Sequence, residues 1–336
     1  MTEITTLSQF LSTAKTQFQV YDLGRRVQHI DMMAFHQIEA LRAPYPYPIQ
    51  GHAQFAIVFW NEDQQHYIWF IKLALDEKGL IVPAVRQQFI KMILEALGRD
   101  PTKSLTEEQQ QALANNPFSF KPSQDKLAVF NALVKKQLGL PASTQYEMAT
   151  QYLSNQMPKE NWQQLGLQGI ADICVRLNSL DHEKQVINGL HSEYMELQAA
   201  ICQCLEHIDV PESIAQQLFD NFNKATPELA LLFLKALSGH QELSLKAVKF
   251  LLHRTLTDEA LITIAARNWT VLRDDKIRLQ YLESLAMQPQ SFFNQVFADI
   301  VAIPLLRDQI LLELRNTNRS VKLSQAIGGL FRATMS

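Results

Sequence analysis

Glycine is scarce, with 11 in 336 residues. Phosphate-cradling loops, nucleophile elbows and long β-barrels all draw on glycine for positive φ or close backbone approach, so the shortage argues against each. Cysteine is scarcer. Cys174, Cys202 and Cys204 are odd in number and absent from the first half, which fits a reducing compartment rather than a disulfide framework. Long apolar runs are also missing. The most apolar stretch, LALLFLKAL, is broken by Lys235 after six residues, far short of the ~20 a membrane span needs. There is no basic excess: net charge is −3, from 31 basic and 34 acidic residues. Divided at Met157, the chain has 14 basic against 14 acidic residues, then 17 against 20. Counterion-release binding to nucleic acid therefore has no compositional support. The opening MTEITTLSQFLSTAK carries Glu3 and no cationic start before an apolar core, so it does not read as a signal peptide. These absences predict a cytoplasmic protein with no membrane contact.

What is present is a globular composition, 47% hydrophobic and 19% charged, in a chain long enough for two domains. The first hundred residues mix periods. Leu7, Phe10, Leu11 and Ala14 recur at helical spacing, FQVYDLGRRVQHI reads as two short strands about a turn at Asp22 and Gly24, and DMMAFHQIEAL returns to helix with Asp31 as N-cap. Pro44, Pro46 and Pro48 alternate with Tyr45 and Tyr47. Such a run holds the chain extended and lacks ladder donors, so it predicts a stiff lead-in to a sheet. HAQFAIVFW, HYIWFIKLAL and LIV then read as a three-stranded meander, and AVRQQFIKMILEALG as a covering helix ending at Gly98.

This predicts a small α+β domain over 1–98, with an antiparallel sheet. Residues 99–157 read as a helical connector, including a polar stretch around Glu107 and Glu108. From 158 to 336 we expect an all-α, HEAT-like solenoid. TPELALLFLKAL at Thr226 and TDEALITIAARN at Thr257 lie about 31 residues apart, and the same step reaches Gln288 and Arg319. Helix starts at Pro211, Glu242, Asp274 and Pro304 interleave at a similar step, so each unit is a helix pair that buries its apolar face on its neighbours.

Chemistry is thin. In CQCLEH, Cys202 and Cys204 point roughly 200° apart on a helix, while Cys204 and His207 share a face. Two ligands without a second pair do not make a zinc site, and buried thiols explain them better. There is no G-x-S-x-G, H-E-x-x-H or P-loop, and His182, His191 and His253 fall where helix surfaces put them. The stripe Lys246, Lys249 and His253 is replaced one step later by Ile277, Gln280 and Ser284, so no basic track runs along the array. No cofactor and no metal are expected. The aromatic sheet is more suggestive, because Tyr67, Trp69 and Ile71 alternate with His66, Ile68, Phe70 and Lys72, leaving both faces largely apolar.

YDLGRRV, PYPYPIQGHAQFAIVFWN and HYIWFIKLALDEKGL together resemble an uncharacterised gamma-proteobacterial family, a domain of unknown function of similar length. Its members share an L-x-x-F-L helix, a D-x-G-R-R turn, a P-Y-P-Y-P stretch and an aromatic hairpin ending in L-D-E-x-G. The resemblance implies a cytoplasmic location and no activity.

The sequence favours a non-enzymatic scaffold or adaptor with a protein partner, using the helical array, the aromatic sheet or both. At least one of Tyr45 and Tyr47, with Trp60 or Trp69, is expected to line a partner groove. A nucleic-acid-associated array is one alternative. The other is an enzyme site involving His52, His66 or Asp22 with Arg25 and Arg26.

Overall fold

Four antiparallel strands form one sheet in the order β2-β1-β3-β4: β1 (Gln17–Asp22), β2 (Gln28–Ile30), β3 (His52–Trp60) and β4 (His66–Ala74). The computed structural model describes residues 4–61, 65–98 and 116–335. The polar stretch around Glu107 and Glu108, and most of the turn between β3 and β4, lie outside them. Strand alternation sets the register. Phe55 faces Ile71, Ile57 faces Trp69 and Phe59 faces Tyr67, so one face gathers the odd-numbered side chains. Helices α1 (Leu7–Thr13), α2 (Met32–Glu39) and α3 (Pro83–Leu97) contribute Phe10, Phe35, Phe89 and Ile93 to the core on that face. Asp31 caps α2 by accepting from the amides of Met33 and Ala34. Gly98 ends α3 at φ +66°, a conformation that disfavours side chains.

The expected third strand of the meander, LIV, is instead an isolated bridge from Ile81 to Leu75. Proline at position 83 starts α3 two residues later, and β1 takes the place beside β3. The outer edge of β4 is met by the returning chain, where the Lys72 amide donates to the Phe118 carbonyl at 2.7 Å.

The chain divides into two units, Met1–Pro122 with Val301–Arg307, and Ser123–Ile300 with Asp308–Ser336. Among the described residues of the second there is no strand. Its helices are α4 (Gln124–Gln137), α5 (Tyr146–Leu153), α6 (Leu167–Cys174), α7 (Leu180–Leu190), α8 (Met195–Leu205), α9 (Glu212–Lys224) and α10 (Pro227–Ala236). They continue as α11 (Gln241–Leu252), α12 (Asp258–Ala266), α13 (Asp275–Leu285), α14 (Gln290–Val301), α15 (Pro304–Glu313) and α16 (Val321–Met335), with the end of α14 and the first turn of α15 falling in the Val301–Arg307 piece of the first unit. The two helices read from sequence as connector, α4 and α5, pack within this unit, on α6 and α8 and on α6 and α7 respectively.

The packing is regular. α5 lies on α7, α7 on α9, α9 on α11 and α11 on α13, while α6 lies on α8, α8 on α10 and α10 on α12. A recurring polar device appears at four of these junctions. A helix leaves its last carbonyls without partners inside its own ladder. The Asn188 amide donates to Leu153 O, the last residue of α5, at 3.0 Å. Asn221, 31 residues further from its acceptor, donates to Leu190 O, the last residue of α7, at 3.0 Å. In the other series Ser238 reaches Glu206 O at 2.9 Å and Asn268 reaches Leu234 O at 2.9 Å. Gly189 brings α7 close to α8, since a Cβ there would stand 2.3 Å from Ile201 Cδ1.

Candidate interaction site

The most distinctive segments of the sequence meet in one buried network. Asp22 closes β1 with its carboxylate turned back into the loop. Its Oδ1 accepts from the Gly24 amide (3.1 Å) and the Tyr45 hydroxyl (2.7 Å), and its Oδ2 from the amides of Arg25 (3.2 Å) and Arg26 (3.3 Å). Arg25 is fully buried and donates from Nε to Pro48 O at 2.8 Å. The Tyr45 amide donates to Gly79 O at 2.8 Å. Gly24 sits tightly, since an added Cβ would stand 3.1 Å from Ile49 and 3.2 Å from the Asp22 carboxylate and force both to shift. The proline run then ends in a two-residue turn, Gln50-Gly51, both at positive φ, as tight hairpins prefer.

Tyr45 is thus a core residue, 0% exposed, with its hydroxyl ionisation pushed far up by burial and by the Asp22 carboxylate. Tyr47 is half-buried, with its ring edge-on to that of Tyr45 at 6.5 Å. The two tryptophans are not brought together. Trp69 lies on the core face, 4.6 Å from Phe59, 6.1 Å from Phe10 and 6.5 Å from Phe89 by ring centroids. Trp60 alternates to the opposite face and donates from Nε1 to Gln17 Oε1 at 3.1 Å. Of the residues weighed for an enzyme site, Asp22 and Arg25 are engaged in the loop network, His52 Nδ1 lies 2.8 Å from Gln50 O, and His66 pairs across the strands with Trp60.

In the second unit all three cysteines are buried. Burial drives the Cys202 thiol far above its ordinary range, which suppresses thiolate chemistry. His207 turns toward Asp125, with Nε2 3.7 Å from Oδ2, and among the described residues no group of three metal-type ligands converges. Lys246 of the basic stripe pairs with Glu242 at 2.6 Å. His182, expected on a helix surface, is half-buried instead, 2.7 Å from the Tyr146 hydroxyl.

Two notches open where turns of successive helix pairs meet. The first, about 260 Å³, lies between the ends of α5 and α7 and is lined by Tyr152, Asn155, Asn188 and His191 among others. It is bridged by the Asn188 cap and by the Lys159–Glu193 ion pair at 3.3 Å. The second, about 190 Å³, lies between the α9–α10 and α11–α12 turns. Here the capping series lapses, because the last turn of α11, Lys249–Leu252, carries no amide side chain. Phe250 stands there instead, 42% exposed, edge-on to Phe222 at 6.0 Å. Arg254 lies with its guanidinium 4.3 Å from the Phe250 ring centroid and enters no ion pair among the described residues. Sequence reasoning missed this site. Its only signal was the change from asparagine to phenylalanine near the end of one helix in a repeated series.

Residues 2–331 match the family model for a protein of unknown function, DUF3549. The chain belongs to this family. No curated protein and no solved structure matches it. Among the described residues no helix is long and apolar enough to cross a membrane.

Proposed function

We propose that the protein is a non-enzymatic interaction scaffold whose second unit is a HEAT-like helical-repeat array that receives a protein partner. Support for the array comes from the alternate packing of α5 through α13 and from side-chain caps at four of its junctions. Support for binding comes from one observation, the notch at Phe250. A large apolar ring half in solvent, beside buried Phe222, Leu231 and Leu256, is the arrangement of an interface anchor site. The aromatic sheet is the weaker surface, because Tyr45 and Trp69 are used inside its own packing.

The test is quantitative affinity capture from cells that express the protein, comparing the wild-type chain with Phe250→Glu at matched melting temperature. The expected result is at least one protein depleted about tenfold by the substitution, the size of a lost anchor contact. Identical capture by both chains would remove the notch from the function.

A further inference from the structure

The geometry points to the class of segment that the Phe250 notch takes: a short extended stretch of another protein with a bulky apolar side chain and a carboxylate side chain two positions away. This rests on the scaffold reading and deepens it.

Size comes first. About 190 Å³ is below the ~300–1,000 Å³ of sites that enclose small molecules, and suits one or two apolar side chains. An α-helix, ~10–12 Å across with its side chains, does not enter a notch bounded by two neighbouring turns, whereas an extended strand can lay one side chain into it. Phe222, Pro227, Leu231, Phe250 and Leu256 give it apolar walls, and Asn223, Thr255 and Thr257 add polar groups to the lining. Arg254 is the one charged lining residue.

Charge sets the second requirement. The Phe250 ring, 4.3 Å from the Arg254 guanidinium carbon, holds that cation at the notch, and a guanidinium on an aromatic ring keeps N–H donors for a carboxylate. Around the notch the first turns of α10 and α12 carry Glu228, Asp258 and Glu259, and Glu259 is met by Lys235 at 3.7 Å. These acids disfavour a carboxylate near the two helix starts, which leaves Arg254 as the cation of the lining to receive one. In an extended chain, side chains on one face recur every second residue, ~6.5–7 Å apart. An apolar anchor in the cavity therefore presents the residue two positions away to Arg254.

The probe is the acetylated, amidated peptide Gly-Ser-Phe-Ser-Glu-Ser-Gly, with twins carrying Gln or Lys for Glu, and a peptide ending in Phe with a free carboxylate. Binding to the full-length chain is read by NMR titration. The Glu peptide is expected to bind about tenfold tighter than its Gln twin, with Arg254→Gln abolishing the difference and Arg254→Glu reversing it toward the Lys twin. Arg254→Lys should retain part of the preference. Equal binding of the Glu and Gln peptides, no binding of any peptide, or a preference for the free chain end would each overturn the inference. If Phe250→Glu still strips a protein from the affinity capture while the peptides fail, the scaffold reading survives and only the assigned partner chemistry falls.

Discussion

The two units are held by opposite strategies. In the sheet unit one carboxylate, that of Asp22, collects two loops through three backbone amides and a tyrosine hydroxyl. In the helical unit the same kind of burden, unpartnered backbone groups at element ends, is met piecemeal by Asn188, Asn221, Ser238 and Asn268. A singular network needs a singular sequence, and D-x-G-R-R and P-Y-P-Y-P stand out because they supply its partners. A repeated device tolerates a missing member. Where it lapses, the Phe250 ring stands 42% exposed.

The sharpest way to break this comparison is to remove the hub of each kind. Asp22→Ala strands the buried amides of Gly24 and Arg25 and leaves the Tyr45 hydroxyl only the Gln54 carbonyl at 3.3 Å, and we expect a loss of about 3–5 kcal/mol, since each unsatisfied buried group costs ~1–3 kcal/mol. Tyr45→Ala should cost a similar ~3–5 kcal/mol as a buried aromatic truncation, while Tyr45→Phe should cost only ~1–2 kcal/mol. With two units a single melting curve is a poor measure, so opening should be followed by hydrogen exchange resolved to β1 and β3. An Asp22→Ala penalty under ~1 kcal/mol would mean the network is ornamental.

A distributed device behaves otherwise. Asn188→Ala and Asn268→Ala should each cost ~1–2 kcal/mol, with faster exchange confined to the helix ends they cap. Lying in different junctions with no shared partner, the two losses should add to within ~0.5 kcal/mol. Strong non-additivity would show that the caps form one cooperative network after all, and the contrast with the sheet unit would dissolve.

How far the sequence could be read follows from the same difference. Local chemistry was legible: Asp31 as a cap, Gly98 as a stop, and strand alternation that put Tyr67, Trp69 and Ile71 on one face. The step of about 31 residues located the helix starts at Thr226, Thr257, Asp274 and Pro304, all of which begin or cap helices. What could not be read was long-range polar satisfaction. Nothing local to Tyr45 says that its hydroxyl will find a carboxylate 23 residues away, so an exposed and a buried tyrosine look alike. The same holds for LIV, whose β-rich composition was overridden by the start of α3. The Phe250 notch was invisible for a further reason: periodic reading rewards matches, and this site is a mismatch.

The smallest expected effect separates the units by acid response. In the sheet unit Glu39 is buried and receives the amides of Leu7 and Ser8, yet burial is the larger influence and raises its carboxyl above the usual range. The folded state then keeps a proton that the unfolded chain has already lost. The contribution is full below the unfolded carboxyl range and is lost as pH rises through the folded value. In the helical unit the signs reverse. Burial pushes both His182 and His207 below their ordinary value, so the unfolded chain protonates first. Their contribution is present above about pH 6.5 and drains as pH falls below it. Burial works against the Asp125 carboxylate, but hydrogen bonds from His207 and Ser123 outweigh it and hold the group well below the usual range. This contribution too is lost in acid. Hydrogen exchange between pH 7.5 and 5.5 should therefore show α4, α7 and α8 opening more easily while α1 and α2 do not. His182→Asn and His207→Asn should each flatten that slope in the helical unit alone. Parallel loosening of both units, or a slope unchanged in the two variants, would show that these buried groups do not set the acid response.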